Sequence, residues 1–275
     1  MKTRLVLSRW KILGTAMNHS FVVSPLRHDT YSVVWTRTPL GGTFVQQGAK
    51  VIKVGGSLIF EKEEFALKRI EQLAKTLRNL YEQGHELLVV VGGGRMARKY
   101  IGAVRTSGGS EVSADIVGIE ISRNNARVMI AALGEVAYPE VPASFTAALI
   151  AAVTGKIVVL GGLSPGQSTN AVAALMAEAV SSQLLLNATD VDGVYPTDPR
   201  EDPHAKVIPR LNIDEFSEII GRSVSRAGYY PLFDQVALQI VQRGQIEVIF
   251  LNGKDPENIS KAINGEKIGS KVVLD

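Results

Sequence analysis

A chain of 275 residues, 45% of them apolar, suits one large α/β domain or two small ones, and it can bury roughly 75% of its unfolded surface without a disulfide or structural metal. The absence of cysteine excludes disulfide frameworks, thiolate zinc sites and cysteine nucleophiles, and the four histidines (His19, His28, His85, His204) lack the spacing of helical metal ligands. The net charge of +3 hides an asymmetry: residues 1–50 carry +6 and the remainder −3, so a mildly acidic body with no aromatic-and-basic stripe argues against nucleic acid as the main partner. No apolar run approaches the ~20 residues of a membrane span. A cysteine-free chain suits a reducing cytoplasm without requiring one.

Residues 1–48 show no clean helical or strand period and form a basic N-terminal extension. A disordered segment or a start-site artefact is the expected reading, with Met17 as an internal start; an extra packed element and a targeting segment are the alternatives. Regular alternation begins at residue 50. Residues 50–55 (KVIKVG) read as a buried strand, and 63–81 as a helix with Ile70, Leu73, Leu77 and Leu80 on one face, stopped by Gly84. The run 86–91 (ELLVVV) is apolar throughout, as a parallel strand covered on both faces would be. Helices near 94–106 and 113–133, a strand at 156–160, a helix at 169–180 and a strand at 183–188 follow. Residues 193–210, with four prolines, read as loop or hairpin. Helices near 212–220 and 232–243, a strand at 245–251 and a last helix–strand pair close the chain. Strands alternating with helices predict a three-layer α/β/α sandwich with a mostly parallel central sheet over residues 49–275.

Three glycine clusters stand where strands end: Gly55-Gly56, Gly92-Gly93-Gly94, and Gly161-Gly162 running on to Pro165-Gly166. Glycine lets backbone N–H groups approach an oxyanion, and the helix that follows turns its positive end toward it. One cluster only ends a strand; three suggest a shared phosphate-rich ligand at the carboxyl edge of the sheet. No G-x-x-x-x-G-K-[ST] string occurs, which excludes a P-loop. Residues 92–97 fit G-x-G-x-x-A, but the acidic residues at the right distance, Glu111 and Asp115, do not end a strand, so a dinucleotide site is disfavoured. Lys53, Arg95 and Arg98 lie beside the turns and are suited to holding a moving phosphoryl group. The competing readings are a strand-edge lysine in solvent and a solvated arginine face.

The stretches VIKVGGS (51–57), VVVGGGRMARKYI (89–101), GGLSPGQSTNAVAALMAEA (161–179) and NATDVDGVYPTDPREDP (187–203), with S-R-x-N-A at 122–126, resemble the amino-acid-kinase superfamily, and within it the archaeal type of uridylate (UMP) kinase. The resemblance runs from about residue 50 to the end. It implies transfer of the ATP γ-phosphoryl to UMP, giving UDP and ADP, with Mg²⁺ accompanying ATP. It implies an acceptor-nucleotide half near 49–180 and an ATP half near 181–275. Lys53 would be catalytic. Gly56, Ser57, Gly94 and Arg98 would hold the ATP phosphates, and Thr189, Tyr195 and Asp198 the adenosine. UMP would contact Gly93, Asp115 and the stretch Leu163, Ser164, Pro165, Gly166, Gln167, Ser168 and Thr169. It further implies a cytoplasmic homohexamer, with the 113–133 helix as the expected seam, and UTP as an inhibitor.

Two departures stand out. Asn170 occupies a place where many relatives of this type carry Asp, so it cannot supply a negative charge to a metal or lysine, and Gln235 replaces a proline in FDQVALQI. Acetylglutamate, glutamate-5-, carbamate and isopentenyl-phosphate kinases are the alternatives within the superfamily, and a non-catalytic nucleotide-binding protein is the alternative outside enzymes. No histidine occurs between His85 and His204, which counts against the isopentenyl-phosphate type, and no lysine between Lys206 and Lys254, which counts against the acetylglutamate type.

Overall fold

The computed structural model describes residues 22–26, 30–34, 48–61, 63–199, 201–224 and 232–274. The chain divides into two compact units, residues 1–45 and 46–275. In the first, Val22–Leu26 and Thr30–Val34 pair as an antiparallel hairpin, with Val22 opposite Val34 and Leu26 opposite Thr30. No strand period announces this hairpin in the sequence. The remaining expectations for residues 1–48 lie outside the described residues.

The second unit is built on a seven-stranded sheet. Its strands in chain order are β1 (Lys50–Val54), β2 (Leu87–Val91), β3 (Val158–Leu160), β4 (Leu184–Thr189), β5 (Arg210–Asn212), β6 (Glu247–Asn252) and β7 (Ser270–Val273). Across the sheet they run β3-β2-β1-β4-β6-β7-β5. The first five in that order are mutually parallel; β7 is antiparallel to β6, and β5 pairs in parallel with β7. The strand order reverses its direction of travel between β1 and the central strand β4, and because these strands are parallel the chain segments leaving β1, β2, β3 and β4 all emerge at one edge.

Nine helices connect and cover these strands among the described residues: α1 (Gly56–Ile59), α2 (Leu67–Glu82), α3 (Gly94–Thr106), α4 (Glu111–Leu133), α5 (Phe145–Ala152), α6 (Thr169–Ala179), α7 (Ile213–Val224), α8 (Gln235–Arg243) and α9 (Glu257–Ile263). Strand side chains alternate in direction, and the two faces divide accordingly. Ile52, Val54, Val89, Val91, Leu186, Ala188 and Leu251 pack with α2, α4 and α9 through Leu73, Leu77, Met129 and Ile259. On the opposite face α6 lies against β1, β2 and β4 and packs on α8. Most of its buried positions, Ala171, Val172, Ala173, Ala174 and Ala177 beside Asn170 and Met176, are small, which lets its backbone sit close to the strands. Beside it, Phe216, Phe233 and Phe250 form a trio with ring centroids 5.0–5.8 Å apart.

The expected sandwich is thus observed, with local corrections. The helix expected at 63–81 begins at Leu67, because Phe60–Glu61 and Glu64–Phe65 pair as a short hairpin in which Phe60 and Phe65 stack at 4.6 Å. Of the two readings for residues 193–210, loop or hairpin, the loop holds: the described residues stay irregular until Arg210 starts β5, which pairs with distant β7. Helix α5 and the strand β5 were unexpected. The helix FTAALIAA is apolar nearly all round and offers no amphipathic period, although Ser144 caps it by accepting from the Ala147 N–H at 3.1 Å.

Candidate active site

The three glycine turns meet. The turn after β1 hydrogen-bonds to β4, Gly55 N–H to Ala188 C=O at 2.8 Å, and the turn after β2 bonds back to β1, Gly92 N–H to Val54 C=O at 2.9 Å. Gly56 and Gly94 press backbone to backbone: a Cβ on Gly56 would fall 2.1 Å from the Gly94 nitrogen, and Gly94 itself has φ +67°. No other residue fits either place. The glycines therefore do more than end strands; they let two loops approach until their amides line one depression.

Helix α4 fastens the second and third turns with the S-R-x-N-A residues. The Asn125 amide donates to Gly92 C=O at 2.9 Å and Gly93 C=O at 3.3 Å. The Ser122 hydroxyl accepts from Gly162 N–H at 2.7 Å, and Arg123 donates to the carbonyls of Gly162 (3.0 Å), Ala143 (3.0 Å) and Leu163 (3.4 Å). Gly161 is required here because a Cβ would lie 2.6 Å from the Arg123 nitrogen. A rigid helix thus spaces two loops that the chain separates by about seventy residues.

A cleft of about 870 Å³ opens over these turns. Lys53, Gly56, Ser57, Gly93, Gly94, Arg98, Asp115, Gly166, Gln167, Ser168, Thr169, Thr189, Tyr195 and Asp198 line it. Leu163, Ser164 and Pro165 do not; Ser164 and Pro165 are exposed at the outer tip of the third turn, whose Gly166 N–H donates to Asp115 Oδ2 at 2.8 Å. Arg95 lies elsewhere. It borders a separate small hollow with Phe60, Glu63, Met96 and Lys99, where Lys99 pairs with Glu63, so helix rotation gives the cleft Arg98 and not Arg95.

At the far side, the Thr189 hydroxyl donates to Val191 C=O at 3.0 Å and accepts from Val191 N–H at 3.3 Å, closing the turn that carries Asp190 and Asp192. Asp192 accepts from the Asn252 amide at 2.7 Å and from the Tyr195 hydroxyl at 3.3 Å. Burial first, and then Asp192, push the Tyr195 phenol above its ordinary value, keeping it a neutral donor. Phe216, Ile219 and Ile220 of α7 and Val194 form an apolar wall opposite. The sequence reading passed over that wall; its signal was the apolar spacing Phe216, Ile219, Ile220 on a helix whose acidic residues lie on the other side.

Lys53 is the electrostatic centre. It is only 8% exposed, which rules out the strand-edge lysine in solvent. Desolvation dominates and lowers its pKa from 10.5 to about 8, while Asp190 and Asp234 oppose the drop. Asp234 caps α8, accepting from Ala237 N–H at 3.0 Å, and also accepts from the Ser168 hydroxyl, which caps α6. Two helix N-termini and one carboxylate therefore meet beside the lysine. The negative charge that Asn170 lacks stands one helix away, on Asp234.

The chain is similar to known proteins along most of its length. The sequence pattern of the Amino acid kinase family matches residues 49–252. A uridylate kinase of Hyperthermus butylicus is 48% identical over 226 residues, spanning 82% of this chain and 98% of the relative. A uridylate kinase of Methanobrevibacter smithii is 43% identical over 223 residues, spanning 81% and 98%. The crystal structure of uridylate kinase from Archaeoglobus fulgidus superposes with a TM-score of 0.72 at 37% identity, covering 82% of this chain and 100% of that one.

Proposed function

Since the chain belongs to the amino acid kinase family, we propose that it is a uridylate kinase, transferring the γ-phosphoryl group of ATP to UMP and releasing ADP and UDP. The observation that carries the reading is the single cleft in which three glycine turns, Lys53 and Arg98 face one another. ATP fits the side formed by Thr189, Tyr195, Asp198 and the α7 wall, with its phosphates over Gly56, Ser57 and Gly94. UMP fits the side formed by Gly93, Asp115 and the 166–169 turn, where Asp115, an acceptor when ionised, suits ribose hydroxyls. Helix α4 thereby belongs to the acceptor half and α7 to the donor half.

The chemistry asks little covalent work of the protein. A phosphate monoester has a second pKa near ~6, so the UMP phosphate is mostly dianionic at neutral pH and needs no general base. Its oxygen attacks the γ-phosphorus as the bond to the β-phosphate oxygen breaks, and ADP leaves with that electron pair. Charge spreads over the equatorial oxygens in transit, and Lys53 and the amides of Gly56 and Gly94 oppose it. Lys53, with a pKa of about 8, is cationic for this at neutral pH. Magnesium enters as part of the substrate MgATP, with phosphates and water as its natural ligands. The resemblance also brings a cytoplasmic homohexamer inhibited by UTP, which sizing in solution and UTP titration of the rate test directly.

Incubation with γ-labelled ATP, Mg²⁺ and UMP, CMP or AMP tests the reaction. Labelled UDP in excess over CDP and ADP is expected. No UDP sinks the reading.

A further inference from the structure

Strand β4 places Asn187, fully buried, in a layer whose other members along its rung are apolar except for Lys53. The layer reads across five strands as Leu160, Val90, Lys53, Asn187 and Phe250, each the register partner of the next. Lys53 and Asn187 thus share one rung and one face, and Lys53 is the only hydrogen-bond donor among Asn187's neighbours along that rung.

The orientation of the Asn187 amide is fixed by a relay. The carbonyl of Leu232 can only accept, so the Asn170 amide turns its nitrogen there, at 3.4 Å. That leaves Asn170 Oδ1 facing β4, where the Asn187 nitrogen donates to it at 3.3 Å. The Asn187 oxygen must then face away from Asn170. It is buried and has no partner, the one such side-chain atom among the described residues. A buried carbonyl oxygen without a donor is costly, and its retention calls for a reason. Lys53 has no hydrogen bond of its own among the described residues, and its ammonium carries three donors.

We propose that Asn187 is the positioning residue for Lys53: its unpartnered side-chain oxygen, turned by the Leu232–Asn170–Asn187 relay, presents the negative end of the amide dipole on the rung it shares with Lys53 and draws the ammonium toward the point where the phosphoryl group crosses. This rests on the kinase reading for its purpose but not for its geometry. It also gives Asn170 a task that an aspartate there could not share, since a carboxylate cannot donate to Leu232. The other charges facing Lys53 are Asp190 after β4, Asp234 at the head of α8 and, across the cleft, Arg98 of α3; α1 brings no charged side chain and the one acid of α6, Glu178, is paired with Arg243.

The test reads Lys53 itself. Trace acetylation across pH, scored by mass spectrometry on the peptide containing Lys53, follows its deprotonation in the resting protein whether or not UMP is its substrate. Asn187→Leu removes the acceptor at nearly constant volume, and the Lys53 titration should fall by about one pH unit below wild type, the size of one charge-assisted hydrogen bond. The alkaline limb of kcat with UMP should move the same way, with both KM values unchanged. Asn187→Asp, nearly isosteric and decisive if the leucine variant does not fold, should move the titration up by at least as much. A Lys53 titration that stays at its wild-type position in the variants that fold overturns the proposal, even if turnover drops. A shifted titration in a protein that makes no UDP would keep the positioning of Lys53 by Asn187 and reject the uridylate kinase reading.

Discussion

The two faces of the β1–β4 strand pair show how one piece of sheet serves two ends. On one face the rungs Ile52–Leu186 and Val54–Ala188 enter a continuous apolar core under α2, α4 and α9. On the other, a single residue along, Lys53–Asn187 brings a cation and an amide beneath the cleft. The period of two puts them back to back with no intervening chain. The apolar face contributes stability through area removed from water; the polar face gives some back, because a buried ammonium loses hydration. Position of the lysine is therefore set by the rigidity of the core behind it.

The comparison can be broken from either side. Leu186→Ala deletes a fully buried side chain and should cost about 2–5 kcal/mol in denaturant unfolding, with both KM values within twofold of wild type. A tenfold KM change would mean that the faces are not separable. Lys53→Met should do the reverse and stabilise the fold, by on the order of 3 kcal/mol at neutral pH. The sign follows from the proton count. Between pH 8 and 10.5 the unfolded chain binds a proton that folded Lys53 has lost, so stability from this group rises with pH through that window. The full burial cost is present below pH 8, and the methionine advantage should vanish above 10.5. A variant less stable than wild type at pH 7 would contradict it.

The same rung sets the catalytic predictions. Lys53→Ala should cut kcat by roughly 10²-fold, the scale of losing one preorganised charge-stabilising group. An unchanged kcat would make the lysine a structural feature only. Asp115→Ala should raise the KM for UMP by about tenfold, the loss of one hydrogen bond to a charged group, and that for ATP by less. The opposite order would exchange the two halves of the cleft.

Much of this was legible in the sequence wherever a local signal sufficed. The run KVIKVG marked β1, a continuous apolar run marked β2, and glycines at strand ends marked the turns. What was not legible lay in contacts between distant segments. Ser122, Arg123 and Asn125 stand out in the sequence only as a motif of the resemblance, and their task shows once Gly92 and Gly162 are seen against them. Asn187 sits in LLLNAT, where a strand reading passes over one polar residue, and its meaning depends on Lys53 in one direction and Asn170 in the other. Arg95 and Arg98 both read as cations on the first turn of α3, and apart from the family resemblance only the structure separates them: Arg98 lines the cleft and Arg95 a separate hollow beside Glu63. The tip residues Ser164 and Pro165 share their motif with lining residues but point outward because Gly166, at φ +78°, turns the chain back into the cleft.

The account requires a donor triphosphate and an acceptor monophosphate to lie end to end in one cleft. An adenosine–uridine pentaphosphate, with the nucleosides joined 5′ to 5′ through their phosphates, spans both positions in a single molecule. Calorimetric titration should find one bound per chain, and rate measurements should find it competitive against ATP and against UMP alike. Competition against only one nucleotide, with the other still binding beside it, would contradict the shared cleft.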